Sequence, residues 1–423
     1  MDIYTVKPGD NLWIISNRYK VTQQSIINAN GLDNPGSLVV GMNLLIPTPS
    51  PSSAYSVKRG DTLSAIAKKF NITVSQLIAA NNLVYPYTIY PGQIIKIKPV
   101  LETIGYFIPS RVPNKTLFIN SLARYLTYLA LFDFPVTATG QITGIMDTET
   151  LSAARRNGLS LLPVLTNLKN GEFSSDIGHT LVSNASVKST FLNNIITLLQ
   201  NNNLRGVIID LENLPPQDRN LFTQFIQELY TRLHRVNKIL VLNMAPKWED
   251  WPEKEWVGFF DYNRLGPIID IAAIMTYEWG WRSGPPRATA PLPYVRRVLD
   301  YTLKNNIPAG KINMGLTLFG YDWLSPYVPG NMAATVTLPK VWELARRYTS
   351  NIIFDNVVKQ PTLKYYDSSK KLHEVWFEDA LSHSYKYPLV NEYGLKGVFY
   401  WLIDQPFPAT WYMNSDLFTV RKI

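Results

Sequence analysis

Hydrophobic and polar positions follow two different patterns along the chain, and the change falls near residue 100. Before that point, short alternating runs such as Tyr4-Thr5-Val6 precede segments whose apolar residues recur at helical spacing. After it, continuous apolar runs alternate with amphipathic stretches. Apolar runs separated by helical patterns predict parallel strands that are buried on both faces. We therefore expect small N-terminal units followed by a larger α/β domain.

The first hundred residues contain an internal repeat with a constant offset of 51 positions. The matched pairs are Tyr4/Tyr55, Val6/Val57, Gly9/Gly60, Asp10/Asp61, Leu12/Leu63, Ile15/Ile66, Thr22/Thr73, Asn30/Asn81, Leu32/Leu83, Gly41/Gly92 and Ile46/Ile97. A Pro/Ser stretch at 49–53 predicts an extended linker between units at 1–48 and 54–99. Each copy predicts a βααβ unit, with Asp10 as the N-cap of the first helix and Asn30-Gly31 as the end of the second.

This repeat strongly resembles the LysM module, which binds N-acetylglucosamine-containing glycans such as peptidoglycan and chitin. In that family, the loop after the first strand and the loop after the second helix flank a shallow glycan groove. The resemblance implies glycan contact at Gly9, Asp10, Leu12, Ile27, Asn30, Gly60, Asp61, Leu63, Ile78 and Asn81. Taken one by one, the same residues are better explained as a turn, a cap and a helix stop.

Eight apolar runs follow residue 101, and their number and the chain length predict a TIM (β/α)8 barrel over 101–423. The runs are 104–107, 125–132, 161–165, 206–212, 239–244, 271–277, 312–319 and 397–402. Chemistry in this fold lies where strands end, so polar residues that close a strand are the candidates. A predicted hairpin with a polar turn at 367–370 indicates a small α+β insertion over about 324–396.

The fourth run ends in Asp210-Leu211-Glu212. Alternation along a strand places both carboxylates on one face, with Cα atoms about 6.5 Å apart. Like charge and a partly apolar cavity should raise the pKa of at least one of them, which provides a proton donor near neutral pH. An isolated Asp-x-Glu usually marks a solvated strand end, but its place on the fourth of eight strands favours a catalytic pair.

Strand six ends in Met275-Thr276-Tyr277-Glu278, and strand eight ends near Trp401. Together with the acidic pair, these residues resemble glycoside hydrolase family 18, the chitinase-like TIM barrels, over roughly 101–420. The resemblance implies that Glu212 is the proton donor and Asp210 the carboxylate beside it. It also implies that Tyr277 holds the substrate acetamido group and that Trp401 floors the sugar site. Further substrate-binding candidates are Asn243, Glu278, Trp279, Trp281, Tyr321, Asp322 and Trp323.

The chain departs from the family pattern at three positions. Arg205 and Ile208 stand where the family usually has aspartates, and Glu278 stands where Asp is usual, so proton sharing across three acids does not carry over. These departures, the run at 275–280 and the two LysM modules resemble one subgroup, the cortex-lytic N-acetylglucosaminidases of bacterial spores (YaaH-like germination proteins). That subgroup lacks a conventional signal sequence, and none is evident here. The resemblance implies assembly from the mother cell onto the spore coat or cortex layers.

The implied function is hydrolysis of β-1,4 bonds at N-acetylglucosamine in spore peptidoglycan, with retention through the substrate's own acetamido group. One alternative is a non-catalytic, chitinase-like coat protein that only binds glycan, which the presence of Glu212 disfavours. Another is a chitinase, which the absence of an export signal disfavours. Reducing-end release from cortex fragments, compared with chitin oligomers, would distinguish all three.

Composition and charge narrow the partners. The chain has no cysteine and only four histidines, which form no close ligand pair, so we expect neither a metal nor a cofactor. The net charge of +9 could indicate nucleic-acid or membrane binding. However, residues 1–100 contain nine Lys and Arg and four Asp, so +5 of the net charge lies there. This is expected for modules that bind an anionic wall polymer. No nucleic-acid motif and no membrane-spanning run accompanies the charge, and the oligomeric state is left open.

Overall fold

The computed structural model describes residues 1–48, 54–70 and 72–423, so the predicted linker at 49–53 lies outside the described residues. The strands are β1 Asp2–Thr5, β2 Asn43–Ile46, β3 Ala54–Ser56, β4 Ile94–Lys96, β5 Val100–Phe107, β6 Tyr128–Pro135, β7 Ser160–Thr166, β8 Leu168–Lys169, β9 Glu172–Phe173, β10 Gly206–Asp210, β11 Ile239–Met244, β12 Ile271–Ile274, β13 Ile312–Thr317, β14 Phe319–Ser325, β15 Ala334–Thr337, β16 Ile352–Asp355, β17 Gln360–Tyr366, β18 Leu372–Trp376, β19 Gly397–Trp401 and β20 Thr419–Val420. The helices are α1 Leu12–Tyr19, α2 Gln23–Asn30, α3 Leu63–Lys69, α4 Val74–Asn81, α5 Lys115–Leu122, α6 Thr148–Arg156, α7 Ser175–Ser183, α8 Ala185–Asn201, α9 Arg219–Arg235, α10 Tyr262–Leu265, α11 Leu292–Lys304, α12 Leu338–Arg347, α13 Ala380–Lys386, α14 Pro388–Glu392 and α15 Pro408–Leu417.

Two βααβ units at the N-terminus confirm the predicted modules, with β1 antiparallel to β2 and β3 antiparallel to β4. The expected N-cap at Asp10 is wrong, because Asn11 caps α1 by accepting a hydrogen bond from the Ile14 N–H at 2.9 Å. Asp10 instead closes the preceding turn, where it accepts from the Tyr4 hydroxyl at 2.6 Å and the Lys7 N–H at 2.8 Å. A carboxylate held in this way by the turn is not free to cap the helix.

Within the described residues, eight parallel strands close into a barrel, which confirms the TIM fold. Their order around the barrel is β5, β6, β7, β10, β11, β12, β13 and β19, and β19 pairs back onto β5. The fourth strand ends at Asp210 and the sixth at Ile274, both earlier than the apolar runs that predicted them. The polar residues that follow have therefore left the sheet at its carboxyl end, where the chain turns over the barrel mouth.

A second sheet lies between strands β13 and β19, as the sequence predicted. It has five antiparallel strands in the order β15-β14-β18-β17-β16, and β17 and β18 form the expected hairpin. Its first strand, Phe319–Ser325, begins before residue 324, the expected start of the insertion. Tyr321, Asp322 and Trp323, the binding candidates that come soon after the seventh apolar run, consequently belong to the second sheet.

The two N-terminal modules relate differently to the barrel. The first shares one continuous hydrophobic core with the barrel, whereas the second has a small core of its own around Val57, Ile66, Leu77 and Ile95. Polar contacts also join the first module to the barrel: Asn43 Nδ2 to Asp379 Oδ2 at 2.6 Å, Ile352 N to Val40 O at 3.0 Å, and Arg346 Nη2 to Asp33 Oδ2 at 3.0 Å. The first module is therefore built into the catalytic body.

Candidate active site

A cavity of about 270 Å³ opens at the carboxyl end of the barrel strands. Its lining residues are Tyr106, Phe132, Phe173, Asp210, Glu212, Asn243, Met275, Tyr277, Glu278 and Trp401. The structure thus brings together the predicted catalytic residues and three of the predicted substrate-binding residues. Aromatic rings surround a cluster of carboxyl groups, an arrangement that suits a sugar ring with polar substituents.

Asn167 fixes the backbone that carries Glu212. Its side-chain Oδ1 accepts from the Glu212 N–H at 3.0 Å, and its Nδ2 donates to the Glu212 carbonyl at 2.8 Å. Asn167 is itself fully buried just beyond strand β7, so it cannot easily move. Asn213, the residue after Glu212, has φ +57°, a left-handed conformation that Asn tolerates better than most residues. These features hold Glu212 at the cavity although the strand has already ended.

The environment of Glu212 favours its protonated form. Burial raises its pKa well above the ordinary value, and the nearby negative charges of Asp210 and Glu278 raise it further. Trp256 acts in the opposite direction, because its indole Nε1 donates a 3.0 Å hydrogen bond to Glu212 Oε2. The balance of these effects favours the form of Glu212 that carries a proton, which is the form a general acid needs.

Asp210 is buried and its pKa is raised to about 6, chiefly by burial and then by the charge of Asp133, against a lowering hydrogen bond from Asn243. Tyr106 donates in turn to Asn243 Oδ1, which fixes the orientation of that amide. Asp210 Oδ1 is buried and has no hydrogen-bond partner among the described residues. Since such an oxygen is costly to leave unpaired, it is suited to accept a hydrogen bond from a bound ligand.

Tyr277 and Glu278 complete the polar side of the cavity. Burial, followed by the charge of Glu278, raises the pKa of Tyr277 well above its ordinary value, so its hydroxyl remains a neutral donor. Burial also raises the pKa of Glu278, and Tyr321 donates to it at 3.4 Å from the second sheet. Glu278 has φ +64°, an uncommon conformation for a residue with a Cβ, and strain of this kind is frequent at functional sites.

Trp401 lies at the cavity as predicted and remains partly exposed. Its indole makes near-perpendicular contacts with Tyr106, at 5.5 Å between ring centroids, and with Phe132, at 5.0 Å. These two rings fix the indole in place. A rigid apolar plane beside the carboxyl groups can support one face of a pyranose ring.

A second cavity of about 310 Å³ adjoins the first and shares Tyr277 and Glu278 with it. Its aromatic lining consists of Trp248, Trp256, Trp279, Trp281 and Tyr294. The predicted binding residues Trp279 and Trp281 therefore lie one site away from the acidic pair. The two cavities together can accommodate neighbouring sugars of one chain.

Three predicted binding residues line neither cavity. Tyr321 is buried in the second sheet and reaches the site only through its hydrogen bond to Glu278. Asp322 is buried in the second sheet, where it accepts from the Tyr365 hydroxyl at 2.6 Å and pairs with His373 Nδ1 at 2.8 Å. Trp323 is only 1% exposed, and its Nε1 donates to the Gly284 carbonyl at 2.8 Å. The assignment of Asp322 and Trp323 as substrate contacts is corrected, because both side chains already have partners inside the protein.

Two of the predicted glycan-contact residues in the N-terminal modules are asparagines that have partners inside the protein. Asn30 and Asn81 each bond with backbone groups of the preceding helix and of the module's last strand, for example Asn30 Nδ2 to Leu45 O at 2.8 Å and Asn81 Nδ2 to Lys96 O at 2.8 Å. Both asparagines are therefore structural, which corrects the expectation that they contact glycan. Gly9 and Gly60 form positive-φ turns. Leu12 is buried, Asp61 accepts from Tyr55 and Lys58, and Leu63, Ile27 and Ile78 are half-buried.

The sequence analysis missed several residues of the site. They are Tyr106, Phe132, Asp133, Asn167, Phe173, Trp248, Trp256, Met275 and Tyr294. One available signal was the cluster of Trp248, Trp251 and Trp256 soon after the fifth strand, since loops at that point of a TIM barrel form the active site. Asn167 could have been found in the same way, because it directly follows the third strand.

Comparison with known proteins identifies the family. The model of glycosyl hydrolases family 18 matches residues 102–405, well over half of the chain. The chain belongs to glycosyl hydrolase family 18. The LysM model matches residues 4–47 and 55–98, which accounts for both N-terminal modules of this family 18 enzyme.

Full-length relatives share the same architecture. The cortical fragment-lytic enzyme of Bacillus subtilis is 36% identical, and the match covers 100% of this chain and 99% of that protein. The crystal structure of the spore cortex-lytic enzyme SleL of Bacillus megaterium matches with a TM-score of 0.83 and 35% identity, over 100% of this chain and 99% of the other. The corresponding Bacillus cereus structure gives a TM-score of 0.84 and 32% identity, over 100% and 98%. The sequence resemblance to spore cortex-lytic family 18 proteins is confirmed.

Neither a membrane-spanning helix nor a metal-binding cluster occurs among the described residues. No described helix has the length and apolar character needed to cross a lipid bilayer. No group of three or more metal-binding side chains occurs in 1–48, 54–70 and 72–423.

Proposed function

We propose that this family 18 enzyme hydrolyses the β-1,4 bonds of spore cortex peptidoglycan at N-acetylglucosamine during germination. The full-length similarity to cortex-lytic enzymes supports the substrate class. The observation that carries the chemistry is the buried carboxyl pair Asp210 and Glu212 in a cavity floored by Trp401. Burial favours the protonated form of Glu212, and the buried Asp210 Oδ1 has no hydrogen-bond partner among the described residues.

In the first step, Glu212 protonates the leaving glycosidic oxygen while the 2-acetamido oxygen of the bound sugar attacks C1. The attack breaks the C1–O bond and forms an oxazolinium ion on the same sugar. The high pKa of Glu212 supplies the proton that this step needs. A sugar that carries a 2-hydroxyl group in place of the acetamido group is not cleaved.

Asp210 and Tyr277 position the acetamido group from two sides. Asp210 Oδ1 accepts a hydrogen bond from the acetamido N–H. Once the Asp210 carboxyl group is ionised, it stabilises the positive charge that develops on the oxazolinium ring. The neutral Tyr277 hydroxyl donates to the acetamido oxygen. Burial holds both side chains at the cavity before substrate binds.

In the second step, Glu212 accepts a proton from water as the water oxygen attacks C1 and opens the oxazolinium ring. Attack from the face that the leaving group vacated restores the original configuration at C1. Glu212 is again protonated and the acetamido group is regenerated. Acid and base are the same residue, and the acetamido oxygen is the nucleophile, so no second carboxylate nucleophile is required.

The second module is the better placed of the two to hold glycan. Its loop between α4 and β4 exposes apolar and aromatic side chains, with 84% of Tyr85 and 66% of Tyr90 accessible. The matching loop of the first module is occupied instead, because Gly41 packs directly against the Ile352 carbonyl and Asp33 pairs with Arg346. We assign cortex retention in the spore chiefly to the second module.

Digestion of purified cortical muropeptides tests the proposal, with mass spectrometry of the products. We expect new reducing ends on N-acetylglucosamine from the parent protein and none from Glu212→Gln. Glycan binding without product release would favour the alternative of a lectin-like coat protein. Faster turnover of chitin oligomers than of cortical glycan would favour a chitinase.

A further inference from the structure

Arg287 lies beside the second cavity, over two of its tryptophans. The Arg287 guanidinium carbon is 5.5 Å from the ring centroid of Trp279 and 5.5 Å from that of Trp281, two residues that line this cavity. The side chain is half-buried. Within the described residues it makes neither a hydrogen bond nor an ion pair, although guanidinium groups in such positions normally have an acidic partner.

The backbone around Arg287 holds it firmly. Trp279 N–H donates to the Thr289 carbonyl and Gly280 N–H to the Ala288 carbonyl, each at 2.9 Å, which joins the two chain segments like a short ladder. Gly280 is required there, because an added Cβ would come within 2.2 Å of the Arg287 carbonyl oxygen. Tyr294 stacks on Trp279 at 3.5 Å between centroids. The backbone that carries Arg287 and the indole of Trp279 beneath its guanidinium are therefore held in place next to the acidic cavity.

The two cavities differ in the ionisable groups around them. The first contains Asp210, Glu212 and Glu278, whereas the second is apolar apart from the shared Glu278 and has Arg287 on its tryptophans. A neutral acetamido sugar suits the first cavity. The planar guanidinium beside the second suits a carboxylate, which it can bind through two parallel hydrogen bonds.

We infer that Arg287 is a specificity-determining residue that binds a carboxylate carried by the sugar next to the one held over Trp401. The inference rests on the proposed function and deepens it. In an alternating peptidoglycan strand, both neighbours of an N-acetylglucosamine are muramic residues. Where the lactyl group is not closed into a δ-lactam, it ends in a carboxyl group or in a peptide that carries one. Chitin has no such group, so Arg287 selects between the two polymers.

Steady-state kinetics on matched oligosaccharides test this. The substrates are an alternating N-acetylglucosamine–N-acetylmuramic acid tetrasaccharide with free lactyl carboxylates, and the same compound with each carboxylate converted to a methylamide. We expect the parent to prefer the charged compound about 10- to 100-fold in kcat/KM, the range for a hydrogen bond between charged groups. In Arg287→Gln this preference should fall to near one, mainly through KM. A third compound, with one alanine on each lactyl group, shows whether the lactyl or the peptide carboxylate is bound.

Arg347→Gln is the matched control. Arg347 also lies over an aromatic ring, that of Tyr348, and has no ion pair among the described residues, but it belongs to helix α12 of the insertion. It should keep the parental preference. An unchanged preference in Arg287→Gln, or equal losses on both compounds, would overturn the inference. Calorimetric binding of the same compounds to Glu212→Gln protein, with and without Arg287→Gln, tests the carboxylate contact even if the parent cleaves neither. Absence of cleavage would count against the proposed function alone.

Discussion

The indole of Trp256 donates a 3.0 Å hydrogen bond to the Oε2 atom of Glu212. Trp256 has φ +70°, a costly conformation for a bulky residue, so the loop that carries it is held in this geometry by the surrounding structure. The bond lowers the pKa of Glu212, against the raising effects of burial and of Asp210. Trp256 thus tunes the proton donor without itself carrying a proton in the reaction.

Trp256→Phe should move the alkaline limb of the kcat profile to higher pH. Loss of the hydrogen bond removes an interaction that favours ionised Glu212, so the carboxyl group keeps its proton to higher pH. The measurement is kcat against pH on cortical glycan fragments. Trp411→Phe, at a buried ring outside both cavities, is a control that should leave the limb where it is. An alkaline limb that moves to lower pH in Trp256→Phe would contradict the role.

The acidic limb should report the ionisation of Asp210. Its pKa is raised to about 6, so the rate should rise as the pH increases through about 6, where the group becomes able to stabilise the oxazolinium ion. Asp210→Asn should lower kcat about 10²- to 10³-fold, the range for loss of one electrostatic stabiliser, and should abolish this limb. Asp300→Asn, on the exposed face of α11, is the matched control. Retention of the acidic limb in Asp210→Asn would assign it to another group.

The contact between the first module and the barrel should contribute to global stability. Asn43→Leu leaves the buried Asp379 carboxylate without its 2.6 Å partner, and we expect a loss of about 1–3 kcal/mol in the free energy of unfolding. Urea unfolding measures it, and Asn331→Leu, at an exposed loop, should cost less than about 0.5 kcal/mol. Burial raises the Asp379 pKa from 3.8 to about 6. Because the folded-state pKa is the higher one, the contribution of this group to stability falls as the pH rises from about 4 to about 6. The cost of Asn43→Leu should be larger at pH 7, where the carboxylate is ionised, than at pH 5.

Glycan retention should depend on the exposed tyrosines of the second module. Tyr85→Ser and Tyr90→Ser should each weaken binding to insoluble peptidoglycan about 3- to 10-fold, the range expected for one aromatic contact. Cosedimentation with purified sacculi measures this, with turnover of soluble fragments as a check that the barrel is intact. Tyr366→Ser is the control, because Tyr366 is 64% exposed on the insertion hairpin. Equal effects from Tyr366 would mean that the binding is nonspecific.

Much of the site could be predicted because strand ends in a TIM barrel converge at one face. Asp210, Tyr277 and Trp401 each close a barrel strand or follow it directly, so their meeting follows once the strands are counted. Trp256 and Asn167 were missed because their roles depend on where a loop returns in space. Trp323 was wrongly placed because an apolar residue in a strand pattern can face either a cavity or a core.

The sequence by itself determined the two repeated modules, the eight barrel strands and the identity of the acidic pair, since these depend on local periodicity and on residue type. Only the tertiary structure decided that Asn30 and Asn81 are structural, that the first module shares the core of the barrel while the second has its own, and that Arg287 has no acidic partner among the described residues. The reason is physical. Whether a polar group binds a ligand or stabilises the fold depends on which distant groups reach it, and no local pattern records those distances.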